Sequence, residues 1–275
     1  TTSELVKISS DGNLGLEEGQ KFERGGIYRF TVDVTKGNTK AVLTVEKVGK
    51  VDLPAPDIFF GNDKMEVTDT DIYKSEQVFT QGQMITVTGI DNLNEWWIDP
   101  DFFEKQSDGA LKFLPINGDY RVTANAVLKY FSVMALKDGK PAKLQDDGTG
   151  AIWAIGKGIG KPSVTSSEVG WEPGKALCLA QVAPKKYQLT LKAGETLKTS
   201  GDPEVISFKF FHQNDWGGEF GNYANSILVE QLKLADSGNL EMQDNKAFEE
   251  GAVYRFTIDV TNGNANADLK VEKIN

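Results

Sequence analysis

Apolar and polar positions alternate along most of the chain. In YRFTVDV, Tyr28, Phe30, Val32 and Val34 fall on one face and Arg29, Thr31 and Asp33 on the other. That period of two is the pattern of a strand with one covered face. A TKGN break and a second alternating run, AVLTVEK, make residues 27–47 a predicted β-hairpin. Residues 253–273 repeat the pattern with TNGN as the turn. Helical periodicity is scarce, and short strands between Gly and Asn turns predict an all-β protein of tandem antiparallel, immunoglobulin-like β-sandwich modules.

The two hairpins are copies. Residues 22–47 and 248–273 align at a constant offset of 226 without a gap, and about half of the positions from Lys7 and Lys233 onward are identical. A weaker copy opens at Gly118, where Tyr120, Arg121 and Thr123 align with Tyr254, Arg255 and Thr257. The segments upstream correspond as well. IFFGND (58–63) parallels IWAIGK (152–157), and YKSEQVF…NEWW (73–97) parallels YQLTLK…NDWGG (187–218). Repeats at this spacing mark modules. They predict residues 1–50 as the C-terminal half of a first module, 51–149 as a second and 150–275 as a longer third. VDLPAP (51–56) and the polar run 137–150 are the boundaries. The first unit lacks half a core, so either residues are missing before Thr1 or the half-module packs against its neighbour.

Charge and composition narrow the function classes. The net charge is −10, which repels phosphate backbones and argues against nucleic acid. Cys178 is the sole cysteine, so no intrachain disulfide can form. It lies 34 residues from the sole histidine, His212, and the two supply no zinc-ligand cluster. Asp69 and Asp71, and Asp146-Asp147-Gly148, lack calcium-loop spacing and read as polar turns. GKGIGK (156–161) resembles a phosphate loop, but Pro162 stands where a Ser or Thr is needed and no βαβ unit surrounds it, so it reads as a flexible loop after a strand. No cofactor or metal is implied. WWIDPDFFE offers Asp99, Asp101 and Glu104 as a carboxylate cluster, either for glycoside hydrolysis or as turn residues accepting backbone hydrogen bonds.

The tryptophans carry the clearest chemical signal. Trp96, Trp97, Trp171 and Trp216 all lie in polar or glycine-containing loops, whereas Trp153 lies within a predicted strand and reads as core. A loop tryptophan beside Asn, Asp, Gln or Lys suits a sugar ring, whose apolar face stacks on the indole while the polar groups take its hydroxyls. It equally suits a plug that closes one end of a sandwich.

The order IWAIGK, VGWEPG, YQLTLKAGE, SFKFFHQNDWGGEFG, GAVYRFTIDV resembles the modules of SusE/SusF-type outer-membrane lipoproteins of Bacteroidetes. The resemblance is strongest over 150–275, weaker over 51–149, and confined to the closing hairpin in 1–50. It implies carbohydrate-binding-module-like sandwiches and a non-catalytic, cell-surface protein that binds a polysaccharide or oligosaccharide. Such a protein is held by a lipid anchor not contained in this chain and works beside a TonB-dependent importer. By position, the aromatic pair is Trp171 and Trp216, with Lys209, His212 and Asn214 as polar partners and Trp96 and Trp97 as the corresponding residues of the middle module. The middle module departs from the pattern, with a double Trp and no Gly-Trp loop. The alternative is a scaffold or partner-binding protein of a surface complex in which the tryptophans are plugs.

Overall fold

The structure is a computed structural model that describes residues 5–8, 12–17, 20–51, 53–199 and 205–275. Asp52, within the predicted VDLPAP boundary, lies outside them. The chain divides into two compact units, Thr1–Pro56 and Asp57–Asn275. Both are built of short, mainly antiparallel strands, and the one α-helix among the described residues is the single turn Val164–Ser167.

The repeat holds element by element. In the first unit Val6–Ile8 pairs with Leu14–Leu16, and Gly26–Asp33 pairs with Val42–Lys50. At the same offset, Leu232–Leu234 pairs with Leu240–Met242, and Val253–Asp259 pairs with Asp268–Lys273. Arg29 opposes Glu46 as Arg255 opposes Glu272. The turns match too. Asp33 accepts the Thr35 N–H at 2.8 Å, Asp259 accepts that of Thr261 at 2.9 Å, and Gly37 and Gly263 take φ of 92° and 91°. The Phe22–Tyr28 edge contact at 4.8 Å recurs as Phe248–Tyr254 at 4.6 Å. Local chemistry alone therefore fixes this hairpin.

What differs is the covering. In the last module Lys186–Lys192 pairs with Val253–Asp259, and the facing sheet Glu168–Gly170, Trp153–Gly160, Ser207–Phe211, Leu240–Met242, Leu232–Leu234 lies across it. Phe208 of that sheet meets Phe256 at 5.5 Å, so the two sheets share an aromatic core. Among the described residues, the first unit has counterparts of only the later strands. Its hairpin is a two-stranded sheet, and Phe30 is 48% exposed where Phe256 is 0%.

Residues 57–275 contain two sandwiches whose strands do not pair with each other among the described residues. The first has a five-stranded sheet, Lys140–Pro141, Tyr130–Lys137, Gly118–Asn125, Ile72–Phe79, Glu66–Asp69, with smaller sheets opposite it. Phe60, Phe79, Phe113 and Phe131 are fully buried in its core. GKGIGK corrects the expectation of a flexible loop, because strand Trp153–Gly160 runs through it and is almost wholly buried. Its glycines are there for close approach. A Cβ on Gly156, at φ 142°, would stand 2.3 Å from Phe208 Cα. Only glycine allows both that backbone angle and that distance.

The two sandwiches are fastened by a buried ionic cluster. Lys161 donates to both oxygens of Asp99 at 2.9 and 2.7 Å and to Asp101 at 3.1 Å. Asp101 also accepts the Thr190 N–H and hydroxyl, both at 2.6 Å, and Gln188 at 2.7 Å. Around this cluster, Ile116 N–H donates to the Gln181 carbonyl at 2.8 Å and Leu144 N–H to the His212 carbonyl at 2.8 Å. Burial works against each charge. For Asp101 it is more than offset by Lys161, Gln188 and Thr190, so this carboxyl ionises below its usual range. Burial pushes Asp99 up, against the pull of Lys161 and with the push of Asp101. Burial also opposes the Lys161 ammonium, but the two aspartates outweigh it and hold the proton above the usual lysine range.

Two outcomes are expected. Phe256→Ala should cost about 3–5 kcal/mol in denaturant unfolding, as a large core truncation does. Phe30→Ala, the same change at the matching exposed site, should cost about 1 kcal/mol; equal costs would contradict the difference in covering. Lys161→Met strands two buried carboxylates and should cost about 3–5 kcal/mol at neutral pH. Because the folded-state pKa of Lys161 is raised, its stabilisation is fully present below the unfolded lysine value of about 10.4 and lost as pH rises through the folded value. The wild-type advantage over Lys161→Met should therefore hold to about pH 10 and shrink above it. A pH-independent difference would remove the ion pair as its cause.

Candidate functional site

Two loops of the last sandwich carry the predicted aromatic pair. Strand Glu168–Gly170 pairs with Trp153–Gly160 and ends at Gly170, whose φ of 58° turns the chain out at Trp171. The other loop leaves strand Ser207–Phe211 and folds back on itself. Phe211 bridges Glu219, and the His212 N–H donates to the Gly218 carbonyl at 2.7 Å. Gly217 and Gly218, both at positive φ, close the tip. Trp216 is pinned there by its N–H to Asp215 at 2.8 Å and by Gln213 donating to its carbonyl at 2.6 Å.

These loops bring Trp171 and Trp216 together. Their ring centroids are 6.3 Å apart and their planes 25° apart. Trp216 rests edge-on against the buried Phe211 at 6.0 Å yet is 50% exposed, and Trp171 is half-buried. The pair is therefore an aromatic surface fixed from beneath and open above. Lys209 shares the strand face of Phe211, two residues away. Lys209 and Asn214 are half-buried, with no side-chain hydrogen bond or ion pair among the described residues. They are polar groups not committed to the fold.

His212 has a different setting. It follows Phe211 and turns to the other side, its ring edge-on to Phe220 at 4.3 Å, with Nε2 enclosed and without a partner among the described residues. Burial lowers its pKa, so the neutral ring is favoured. This is local packing behind the Trp216 loop.

The middle module splits its double tryptophan. Trp96 is 9% exposed and stacked on Phe131 at 4.6 Å, which makes it a core plug. Trp97 stays half-buried. Its Nε1–H donates to Glu195 of the last sandwich at 2.8 Å, and the Lys161 ammonium lies 5.9 Å from its ring centroid. Neither ring contacts the Trp171–Trp216 pair.

The Asp99/Asp101/Glu104 cluster is not assembled as a reacting set. Asp101 is 1% exposed and its oxygens accept four hydrogen bonds, about the full capacity of a carboxylate. Asp99 accepts the Asp101 N–H at 3.0 Å, as a turn residue does, in addition to Lys161. Glu104 lies on an exposed hairpin paired with Lys112 at 3.2 Å. Cys178 is buried, and burial pushes its thiol up to about 12, far from thiolate chemistry. Lys161 and Glu195 were missed by sequence reasoning. The signal was a lysine closing a glycine-rich strand, and it becomes meaningful only once its partners some sixty residues away are known.

Residues 51–144 match the family described as Domain of unknown function (DUF5125). No curated protein matches the chain. Residues 1–35 and 147–261 match the family described as Domain of unknown function (DUF5121), and the two matches end 226 residues apart, the offset of the internal repeat. Those two segments make up more than half of the chain, which belongs to the DUF5121 family.

Proposed function

We propose that this protein binds a polysaccharide or oligosaccharide without chemical turnover, through the aromatic surface of Trp171 and Trp216. The observation that carries the reading is the nearly parallel, partly exposed pair itself. Exposed indole costs roughly 25 cal/mol for every Å² left in water, so a fold that braces Trp216 on Phe211 instead of burying it keeps that surface for a ligand. Sugar rings suit it, since they offer an apolar C–H face and peripheral hydroxyls. Lys209 and Asn214 supply uncommitted polar atoms on the Phe211 strand and in the Trp216 loop. On this reading the protein works at the outer-membrane surface, lipid-anchored beside a TonB-dependent importer, in the manner of the SusE/SusF-type modules that the sequence resembles.

The second reading, a partner-binding component of a surface complex, is favoured by a different observation. Phe22, Phe30, Val32 and Val34 are exposed in the first unit, on and beside the hairpin whose counterpart residues are core in the last module.

Affinity electrophoresis in gels containing bacterial, plant and host polysaccharides separates the two. Retardation of the wild type by at least one polysaccharide, lost in Trp171→Ala and in Trp216→Ala while Trp96→Phe stays retarded, is the expected result. No retardation across the panel, or retardation unchanged by both alanine variants, removes the Trp171–Trp216 surface from the function.

A further inference from the structure

A cavity of about 550 Å³ lies between the two sandwiches of residues 57–275. Its size is that of a small-molecule site, and such sites favour the seams between domains. Trp97, Asp99, Tyr130 and Ser132 line it from the first sandwich, and Lys161 and Thr165 from the second. Trp171 and Trp216 do not line it.

The walls define what fits. One is the Trp97 ring, held at both ends by its N–H to the Lys129 carbonyl at 2.7 Å and its Nε1–H to Glu195 at 2.8 Å. An aromatic face fixed in this way but only half-buried is ready to take an apolar ring face. Beside it lies the ionic cluster, in which the Lys161 ammonium is fully taken up by Asp99 and Asp101. Asp99 accepts Lys161 at both oxygens and the Asp101 N–H at Oδ1, which leaves acceptor capacity at Oδ2. Tyr130, Ser132, Thr165, Ser166 and Ser167 add hydroxyls around the lining. An anion would find the Lys161 ammonium already taken by the two aspartates and that of Lys175 by Glu172. A purely apolar molecule would leave that remaining acceptor capacity at Oδ2 unused and cover it from water. A hydroxyl-bearing ring that is uncharged, or carries an amine, satisfies both walls.

We propose that this seam is a second ligand site, taking a monosaccharide-sized polyol that is neutral or cationic, with its C–H face on Trp97 and its donors on Asp99. The site does not rest on the glycan reading of Trp171 and Trp216, and its test is done without them.

The test uses the full chain carrying Trp171→Ala and Trp216→Ala. Glucose, galactose, glucosamine and glucuronate are titrated while the indole Nε1–H resonance of Trp97, assigned by its loss in Trp97→Phe, is followed by NMR. The expected result is a saturable shift with at least one of the neutral or amino sugars and none with glucuronate. Filling the cavity by Ser132→Phe, or its rim by Thr165→Phe at an exposed position of the short helix, should abolish the shift. Trp97→Phe, read by calorimetry, should weaken binding about tenfold. No saturable shift with glucose, galactose or glucosamine, a shift that survives both filling variants, or equal binding of glucuronate would each overturn the proposal. A polysaccharide gel that fails with the wild type would not touch it.

Discussion

The ammonium of Lys161 is the contact on which the arrangement of residues 57–275 turns. An unpaired charge at that depth costs several kcal/mol in lost hydration, and two carboxylates with no cation would cost more. Asp99, Asp101 and Lys161 are tolerable only together, and only because Thr190 and Gln188 satisfy the remaining oxygens of Asp101. The aspartates belong to one sandwich and the lysine, threonine and glutamine to the other. The cluster therefore forms in a single mutual placement of the two. An apolar seam of equal area could slide, whereas a bidentate ion pair with four further directed bonds cannot. The placement of Trp97 over the seam, tied to Glu195, follows from it.

The repeated hairpin shows the opposite regime, in which local rules suffice. The same Asp caps the same turn, the same glycine takes φ near 90°, and the same aromatic pair forms, although among the described residues a covering sheet is present in one copy and not in the other. Sequence reading works well on such elements because each step depends on residues within a few positions. The strand faces, the turns, the all-β class and the exit of Trp171 and Trp216 into loops were legible for that reason. The nearness of those two rings, 6.3 Å between centroids, is a tertiary fact that no local rule supplies.

Failures fall where the deciding partner is distant. GKGIGK reads as a flexible loop because glycine is permissive; its rigidity comes from Phe208 and Ser167 backbones closing on it, and nothing local announces them. Trp96 and Trp97 are indistinguishable in sequence, both in a polar loop. Just after the 3-10 turn Leu93–Glu95, the first stacks on Phe131 and the second reaches Glu195. Asp99 and Asp101 were legible as turn acceptors and as a carboxylate cluster, but not as the counter-charges of a lysine sixty residues away. Chemistry-bearing residue types were found in each case; their assignments depend on tertiary pairing.

The loop from Ser163 to Cys178 joins these threads. Its two flanks, 164–168 and 174–178, wall the seam cavity, and between them the chain turns outward at Gly170 to present Trp171. The first flank is held by Val164 N–H donating to the Glu195 carbonyl at 2.8 Å and by Glu168 paired with Lys198 at 2.8 Å, and the second by Leu177 and Cys178 pairing with Ala154 and Trp153. Glu195 is also the partner of Trp97. One acidic residue thus touches the root of the loop and the aromatic wall of the cavity, and the ionic cluster beside it sets the distance between the sandwiches that both require. The aromatic surface and the seam are consequently not independent decorations on a sandwich. Trp171 and one wall of the seam sit on the same loop, whose root is tied to the residue that also holds Trp97, while Trp216 reaches the pair from the separate loop after Ser207–Phe211.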